Sequence, residues 1–230
     1  MGEHQGDVPL RRLDDARWME AMRTVSLFLF LMGVRPLKRL ILASQSPRRL
    51  HLLNQIGFKV EVIPSSAVES FDVSITPEEN AQGLALAKAK DVGARIENGI
   101  VIGADTIVVV NGESLGKPTN ARDAIAMLEK LSGRMHSVIT GFALLDRPSN
   151  KFVTGAELTH VTFRSIPRDE IERYVAGGSP MDKAGAYGIQ DDYGAVFVSR
   201  VEGCFYNVVG FPLARFYTAF QEFTALIESA

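Results

Sequence analysis

The sequence predicts a mixed α/β fold whose central sheet contains both parallel and antiparallel strands. In part of the chain, short apolar runs alternate with amphipathic helical patterns, which is the order of parallel βα units. Elsewhere two strand patterns follow each other directly across a short turn, as in antiparallel hairpins. The 230 residues are 46% hydrophobic and 23% charged, an ordinary globular composition. We therefore expect a mixed sheet rather than the parallel sheet of a Rossmann fold.

Two strand–helix pairs open the predicted fold. Residues 39–43 form a short apolar run that is typical of a buried strand. A helix follows, with Ser46 as its cap and a proline in its first turn; it carries Leu50, Leu53 and Ile56 on one face and ends at Gly57. Residues 59–64 alternate like a strand, and residues 76–95 begin with a capping box and continue as a helix.

The middle of the chain predicts a hairpin and then a helix. Residues 100–110 form a second apolar run, and the Asn-Gly pair at 111–112 is the strongest hairpin signal in the sequence. Asn120 is a typical cap for the next helix, whose apolar residues recur at helical spacing and which ends at Gly133.

Two long neighbouring strands are predicted next, over residues 136–145 and 152–165, joined by the turn Asp-Arg-Pro-Ser-Asn. A helix then runs from Pro167 to a Gly-Gly pair, followed by a strand over residues 195–201. The last helix begins at Pro212.

Residues 1–36 are predicted to form an N-terminal arm, and we place the folded domain at residues 37–225. An apolar run of ten residues, 25–34, follows a segment of mixed charge. At ~1.5 Å per residue this run is too short to cross the ~30 Å core of a bilayer. The acidic residues of the preceding segment speak against a targeting peptide. We expect a mobile tail and then a short helix that rests on the body or on a partner subunit.

Charge and cysteine content exclude several classes of function. The net charge of −2 gives no general attraction to nucleic acid or to anionic membranes, so we expect neither a nucleic acid polymer nor a membrane as a partner. A single cysteine, Cys204, cannot form an internal disulfide, which indicates a reducing compartment. The histidines show no metal-ligand spacing, and there is no Gly-x-Ser-x-Gly elbow for a nucleophilic serine.

Two polar clusters lie in or beside the first strands. The backbone N–H groups at the start of the first helix, with Ser44, Ser46, Arg48 and Arg49, could cradle a phosphate. An ordinary helix cap with solvated arginines is the alternative. Asp105 interrupts the second apolar run, and burying a bare carboxylate costs several kcal/mol. It must therefore be exposed in a cleft, paired or bound to a metal, unless a turn or bulge carries it outward.

Two further clusters contribute lysines and glycines. Gly-Lys-Pro at 116–118 is a rigid loop that holds Lys117, and residues 182–190 are too polar and glycine-rich for the interior of an element. Each lysine alone could be a solvated surface charge. Together the loops could bring five cations to one cleft, which suits a polyanion better than a neutral ligand: Arg48, Arg49, Lys88, Lys117 and Lys183.

Six short segments, in order along the chain, resemble the Maf family. They are Ser-Gln-Ser-Pro-Arg-Arg at 44–49, Gly-Ala-Asp-Thr at 103–106, Gly-Lys-Pro at 116–118, Leu-Ser-Gly at 131–133, Asp-Lys-Ala-Gly-Ala-Tyr-Gly-Ile-Gln at 182–190 and Asn-Val-Val-Gly-Phe-Pro-Leu at 207–213. The resemblance implies a nucleoside triphosphate pyrophosphatase with a fold like the inosine triphosphatases, in which two α/β lobes enclose a cleft. It also implies a divalent cation, Mg²⁺ or Mn²⁺, a cytoplasmic location and, in many members, a homodimer.

The resemblance further implies a preferred substrate. The subgroup that hydrolyses dTTP and UTP carries the residue types found here at Arg48, Thr106 and Gln190. The subgroup acting on 7-methyl-GTP has Trp, Gln and Glu at the matching places. All three positions of this sequence therefore favour dTTP and UTP.

Catalytic roles follow from the same resemblance. Asp105 matches the family's proton acceptor, and Glu69 matches an acid that we expect to share a metal with Asp105. The expected phosphate-binding residues are Ser44, Ser46, Arg49, Lys88, Lys117 and Lys183. An unperturbed aspartate, with a pKa of about 3.9, is a weak base for water, so we expect a metal to acidify that water.

Two alternatives remain at this point. The substrate could be another or a modified nucleotide such as 7-methyl-GTP, because guanine presents an N–H and C=O pair like that of uracil to a glutamine amide. The chain could instead be a regulator linked to cell division that binds nucleotide without turnover. The presence of Asp105 favours turnover, because a pure binding protein would not need the acid.

Overall fold

The computed structural model describes residues 38–190 and 193–229, and the predicted arm of residues 1–36 lies outside them. The strands are β1 (Leu40–Leu42), β2 (Val60–Val62), β3 (Gly99–Val110), β4 (Glu113–Leu115), β5 (Met135–Arg147), β6 (Phe152–Phe163) and β7 (Val198–Glu202). The helices are α1 (Pro47–Gln55), α2 (Pro77–Gly93), α3 (Ala121–Leu131), α4 (Arg168–Ala176), α5 (Phe205–Val209) and α6 (Leu213–Glu228), with 3₁₀ segments at Ser179–Asp182, Ala184–Ala186 and Tyr193–Phe197.

All seven strands belong to one sheet, in the order β2-β1-β3-β5-β6-β7, with β4 paired to β3. β1 runs parallel to β2 and β3, whereas the pairs β3–β5, β5–β6 and β6–β7 are antiparallel. The predicted hairpin between β3 and β4 turns at Asn111 and Gly112, both with positive φ. The predicted mixed α/β class is confirmed, and the division into two lobes stays a prediction.

One edge of β3 is left uncovered between its two neighbours on that side. β1 pairs with β3 as far as Ile102, and the pairing with β4 begins at Val108. Residues 103–107 of β3 therefore lie in a gap in the strand ladder. This gap explains how Asp105 can occur in an otherwise apolar strand without being sealed into the core.

Glycines bring α2 close to the sheet beside this gap. A Cβ added at Gly103 would lie 2.0 Å from the carbonyl oxygen of Ala85, and one at Gly141 would lie 2.2 Å from the carbonyl carbon of Ala81. Only glycine at these positions allows the helix backbone to approach so closely. The predicted capping box starts this helix, with reciprocal bonds between Thr76 and Glu79.

The other helices bury apolar residues against the sheet. A large core cluster joins α3 and α4 to the buried ring of Tyr187. In α6, Phe220 packs edge-on against Phe58, with 4.8 Å between ring centroids. Within the described residues, no helix is long and apolar enough to cross a membrane.

The structure differs from the sequence-based predictions in three places. In α1 the buried residues are Arg49, Leu52 and Leu53, rather than a face centred on Leu50, Leu53 and Ile56. The strand predicted over 195–201 begins at Val198, because a 3₁₀ turn precedes it. The five-residue helix α5 was not predicted, since so short a helix has no apolar periodicity.

Candidate active site

The gap in the β3 edge opens into a cavity of about 820 Å³, within the ~300–1,000 Å³ typical of small-ligand sites. All four polar clusters predicted from the sequence contribute to its walls. Every residue predicted for the site lines it: Ser44, Ser46, Arg48, Arg49, Glu69, Lys88, Asp105, Thr106, Lys117, Lys183 and Gln190.

Alternation along β3 divides the cavity into two sides. Successive side chains of a strand point to opposite faces, so Asp105 and Thr106 face opposite sides of the sheet. Asp105 contacts Lys88 of α2 on one face. Thr106 contacts Arg49 and Thr140 on the other face. The gap lets both faces open into the same cavity.

On the α2 side, one lysine joins two carboxylates. Lys88 Nζ lies 2.5 Å from Asp105 Oδ1 and 2.7 Å from Glu69 Oε1. The charge of Asp105, whose side chain is only 12% exposed, is therefore compensated by an ion pair within the apolar strand. Burial acts to raise the pKa of Glu69, but the hydrogen bond and charge of Lys88 outweigh it, and the pKa lies below its usual value.

The carboxylates are a suitable but incomplete donor set for a divalent cation. Asp105 and Glu69 offer the hard oxygen ligands that Mg²⁺ and Mn²⁺ prefer. The described part of the chain contains no group of three His, Cys, Asp or Glu residues placed to hold a metal. Mg²⁺ is commonly bound by one or two carboxylates, with water and substrate phosphates as its other ligands, so these two residues fit it.

Arg49 is a buried clamp beneath the gap. Its Nε donates to the carbonyl of Gly210 at 3.0 Å, and Nη1 donates to Ala104 O at 2.9 Å and to Ser44 Oγ at 3.1 Å. Nη2 donates to Thr106 Oγ1 at 3.0 Å. Four of the five guanidinium N–H groups are thus engaged within the protein. The phosphate-binding role of Arg49 stays a prediction beside this architectural role.

Two other cations are bridged across the mouth of the cavity. Arg48 Nη1 lies 2.7 Å from Asp182 Oδ2, and Lys183 Nζ lies 2.9 Å from Asp182 Oδ1. Burial would raise the pKa of Asp182, but hydrogen bonds from Lys183 and Arg48 hold it below its usual value. Lys117 differs from both, because it makes no hydrogen bond or ion pair with any described residue. It is the cation best placed to accept a new anionic partner.

A chain of buried hydroxyl and amide groups supports Thr106 from below. Its hydroxyl lies 3.0 Å from that of Thr140, which donates to the carbonyl of Asn207 at 3.1 Å. The Asn207 side chain donates in turn to Val138 O and Thr159 Oγ1. Sequence reasoning missed Thr140, and it included Asn207 only as part of the segment 207–213, without a role. A polar residue within a buried strand, the signal that singled out Asp105, could have found Thr140.

A second buried pair supports the loop that carries Gln190. Tyr187 lines the cavity, and its hydroxyl lies 2.8 Å from Nε2 of the buried His136. Burial lowers the pKa of His136 to about 4 and raises the pKa of Tyr187, so both side chains are neutral near pH 7. The Oε1 atom of Gln190 is itself buried and has no hydrogen-bond partner within residues 38–190 and 193–229.

Comparison with known proteins identifies the family. A family model described as "Maf-like protein" matches residues 39–223. This chain belongs to the Maf family. The resemblance inferred from the six sequence segments is therefore confirmed.

Curated members of the Maf family share nearly the whole of the matched region. A dTTP/UTP pyrophosphatase of Caldicellulosiruptor saccharolyticus is 43% identical over 190 residues, which cover 81% of this chain and 95% of the relative. Proteins of the same name from Caldicellulosiruptor bescii and Bacillus velezensis are 47% and 46% identical, covering 78% and 81% of this chain and 92% and 97% of the relatives.

Proposed function

We propose that this Maf-family chain hydrolyses dTTP and UTP to the monophosphate and pyrophosphate. The observation that carries the proposal is the Asp105–Lys88–Glu69 group, which opens into a cavity large enough for a nucleotide. A carboxylate held beside a cation at a point open to solvent suits hydrolysis of a phosphoanhydride. The names of the relatives support the same reaction.

The triphosphate is bound by cations from two helices and two loops. A nucleoside triphosphate carries about four negative charges, which require compensation as charge develops on the leaving pyrophosphate. Lys88 has three N–H donors, of which Asp105 and Glu69 engage two, so one is available for a phosphate oxygen. Lys117 provides a second ammonium, which pairs with no other described residue. Ser44, Ser46, Arg49 and Lys183 complete the proposed phosphate-binding set.

Asp105 is the proposed general base. Lys88 holds its Oδ1, which fixes the carboxylate and leaves Oδ2 to accept the proton of the attacking water. When bound by Asp105 and Glu69, Mg²⁺ or Mn²⁺ supplies positive charge for the phosphates and acidifies water. The low pKa of Glu69 keeps this carboxylate ionised and able to act as a ligand.

The nucleobase of the substrate lies on the side of β3 opposite Asp105. Thr106 and Gln190 provide polar groups there, beside apolar walls that include Val108 and Val138. Arg48, at the mouth of the cavity, serves the base or sugar. The cytoplasmic location and the homodimer implied by the family resemblance are also part of this proposal. The free thiol of Cys204 supports a reducing compartment and so the location, but it has no bearing on the homodimer.

A nucleotide panel tests this proposal. Pyrophosphate release is measured with dTTP, UTP, CTP, GTP, ATP and 7-methyl-GTP, with and without added inorganic pyrophosphatase to distinguish pyrophosphate from phosphate. We expect kcat/KM for dTTP and UTP to exceed the others by at least ~10-fold, the scale of one lost specific hydrogen bond. A preference for 7-methyl-GTP would assign the other subgroup. Tight nucleotide binding without pyrophosphate release would favour the regulatory alternative.

A further inference from the structure

The buried hydroxyl chain beneath Thr106 restricts what this residue can offer to a ligand. We infer that Thr140, fixed by the carbonyl of Asn207, makes Thr106 a hydrogen-bond acceptor only, so that the cavity selects bases with a ring N–H. The inference rests on the proposed function and deepens it, because it assigns the selection of thymine and uracil over cytosine to one proton. Thr140 is fully buried and cannot touch a ligand, so its role is that of a positioning residue.

The positions of the protons follow from the distances. Thr140 Oγ1 and the carbonyl oxygen of Asn207 lie 3.1 Å apart in the buried interior, which requires a proton between them. A carbonyl has no proton, so Thr140 supplies its only one. In the 3.0 Å contact between the two threonine hydroxyls, Thr140 must then accept and Thr106 must donate.

Thr106 is left with one open lone pair. Its proton is directed to Thr140, and one of its two lone pairs accepts the N–H of Arg49 Nη2 at 3.0 Å. The remaining lone pair can only accept a hydrogen bond. Thr140 and Arg49 are both buried, so rotating the Thr106 hydroxyl would leave two oxygens facing each other at 3.0 Å without a proton between them.

Thr106 is half-buried and lines the cavity, so a ligand can reach its side chain. A Cβ added at Gly210 would lie 3.7 Å from Thr106 Oγ1, so glycine keeps this approach free of a side chain. The cavity is also lined by apolar side chains, among them Val108 and Val138. Gln190 lines the same cavity and carries an amide that can accept or donate a hydrogen bond.

Pyrimidine bases differ at the position such an acceptor reads. Thymine and uracil carry a proton on N3, whereas N3 of cytosine is a bare lone pair. Opposite an acceptor-only Thr106, N3–H forms a hydrogen bond, and the cytosine nitrogen faces another lone pair. The two bases are similar in size, so a difference between UTP and CTP reports on hydrogen-bond polarity, at N3 and at the C4 substituent, rather than on fit.

The test compares Thr140→Val with Thr140→Ser. Valine has the shape of threonine but cannot accept the Thr106 proton, which becomes free to turn into the cavity. The carbonyl of Asn207 keeps a second donor, the N–H of Gly210 at 2.9 Å, so the substitution leaves no buried acceptor without a partner. Serine retains the hydroxyl and is the matched control. The measurements are kcat/KM for UTP and CTP and the affinities for UMP and CMP.

We expect Thr140→Val to lower the UTP-to-CTP ratio by ~10-fold or more, in binding as well as turnover, while Thr140→Ser keeps the wild-type ratio. An unchanged ratio in a folded Thr140→Val protein overturns the inference. Wild-type protein with N3-methyl-UTP tests it without any variant. We expect at least a ~10-fold loss relative to UTP, and equal use of the two nucleotides overturns the inference.

These measurements separate the inference from the proposed function. Tighter binding of UMP than CMP without pyrophosphate release would contradict the proposed function and support the inference. Equal hydrolysis of UTP and CTP by the wild-type protein would support pyrophosphatase activity, but it would overturn the inference and the expected preference for UTP over CTP. A chain that binds neither nucleotide would contradict both.

Discussion

Replacing Arg49 with lysine tests whether the buried clamp holds the site together. Its four hydrogen bonds join the strand end at Ser44, the open edge of β3 at Ala104 and Thr106, and the turn at Gly210. The guanidinium reaches these points because its donors are spread over a planar fork. The ammonium of lysine has its donors at one point and cannot reach partners on three separate segments.

The expected loss of stability follows from the acceptors that lose their donor. If lysine keeps two of the four contacts, two buried oxygens remain unpaired, at ~1.5 kcal/mol each, or about 3 kcal/mol together. For a chain of this size that loss lowers Tm by roughly 6 to 12 °C. Urea denaturation followed by circular dichroism gives the free energy of unfolding, and thermal denaturation gives Tm.

The neighbouring residue provides the matched control. Arg48 pairs with Asp182 at the cavity mouth, where the arginine side chain is 25% and the aspartate side chain 56% exposed. An exposed pair of this kind contributes about 0–1 kcal/mol, so Arg48→Lys should leave Tm nearly unchanged. Equal, small changes in Tm for the two variants would refute the clamp.

Three further predictions concern pH, packing and metal. The pKa of His136 is lowered to about 4 in the folded protein, so the unfolded chain binds more protons between pH ~6.5 and ~4. The free energy of unfolding should therefore fall by up to about 3 kcal/mol as the pH drops through this window. Urea titrations should show this pH dependence in the wild type and lose it in His136→Asn. Gly141→Ala should destabilise the protein by ~1–3 kcal/mol because the added Cβ would collide with α2. Gly83→Ala, whose Cβ would meet nothing within 4 Å, should stabilise the protein by ~0.5–1 kcal/mol. Equal effects of the two substitutions in thermal denaturation would contradict the close approach of α2 to the sheet. EDTA should abolish pyrophosphate release. Glu69→Gln should raise the Mg²⁺ or Mn²⁺ concentration that gives the half-maximal rate by roughly 10-fold, because the metal loses a charged ligand. If this concentration is unchanged, Glu69 is not a metal ligand.

The sequence predicted the element order because most elements carry strong local signals. The Asn111-Gly112 hairpin, the Thr76 capping box and the Asn120 cap all occur where the patterns placed them. The cost of burying a carboxylate also predicted that Asp105 would be paired or exposed. Its partner, Lys88, could not be predicted from local signals, because the contact depends on how closely α2 approaches the sheet at Gly103 and Gly141.

The roles of the two neighbouring arginines show a second limit of prediction from local sequence patterns. Both are cations in one sequence cluster, yet the structure buries Arg49 among four acceptors and leaves Arg48 at the cavity mouth. Arg49 lies four residues before the buried Leu53 and so shares its helix face, a signal that could have predicted its burial. The acceptors that justify this burial come from distant segments, which local patterns do not reveal.

Asp105→Asn tests the central claim, that the carboxylate in the β3 gap is the general base of the hydrolysis. Asparagine keeps the size of the side chain and a carbonyl acceptor for Lys88 but cannot take a proton from water. The measurement is the initial rate of pyrophosphate release from dTTP by wild type and variant, at equal concentration and with matched circular dichroism spectra. We expect the variant to be at least ~10²-fold slower, the usual loss for a general base, while its affinity for dTMP stays within about a factor of three. A folded variant that releases pyrophosphate at nearly the wild-type rate would contradict the account.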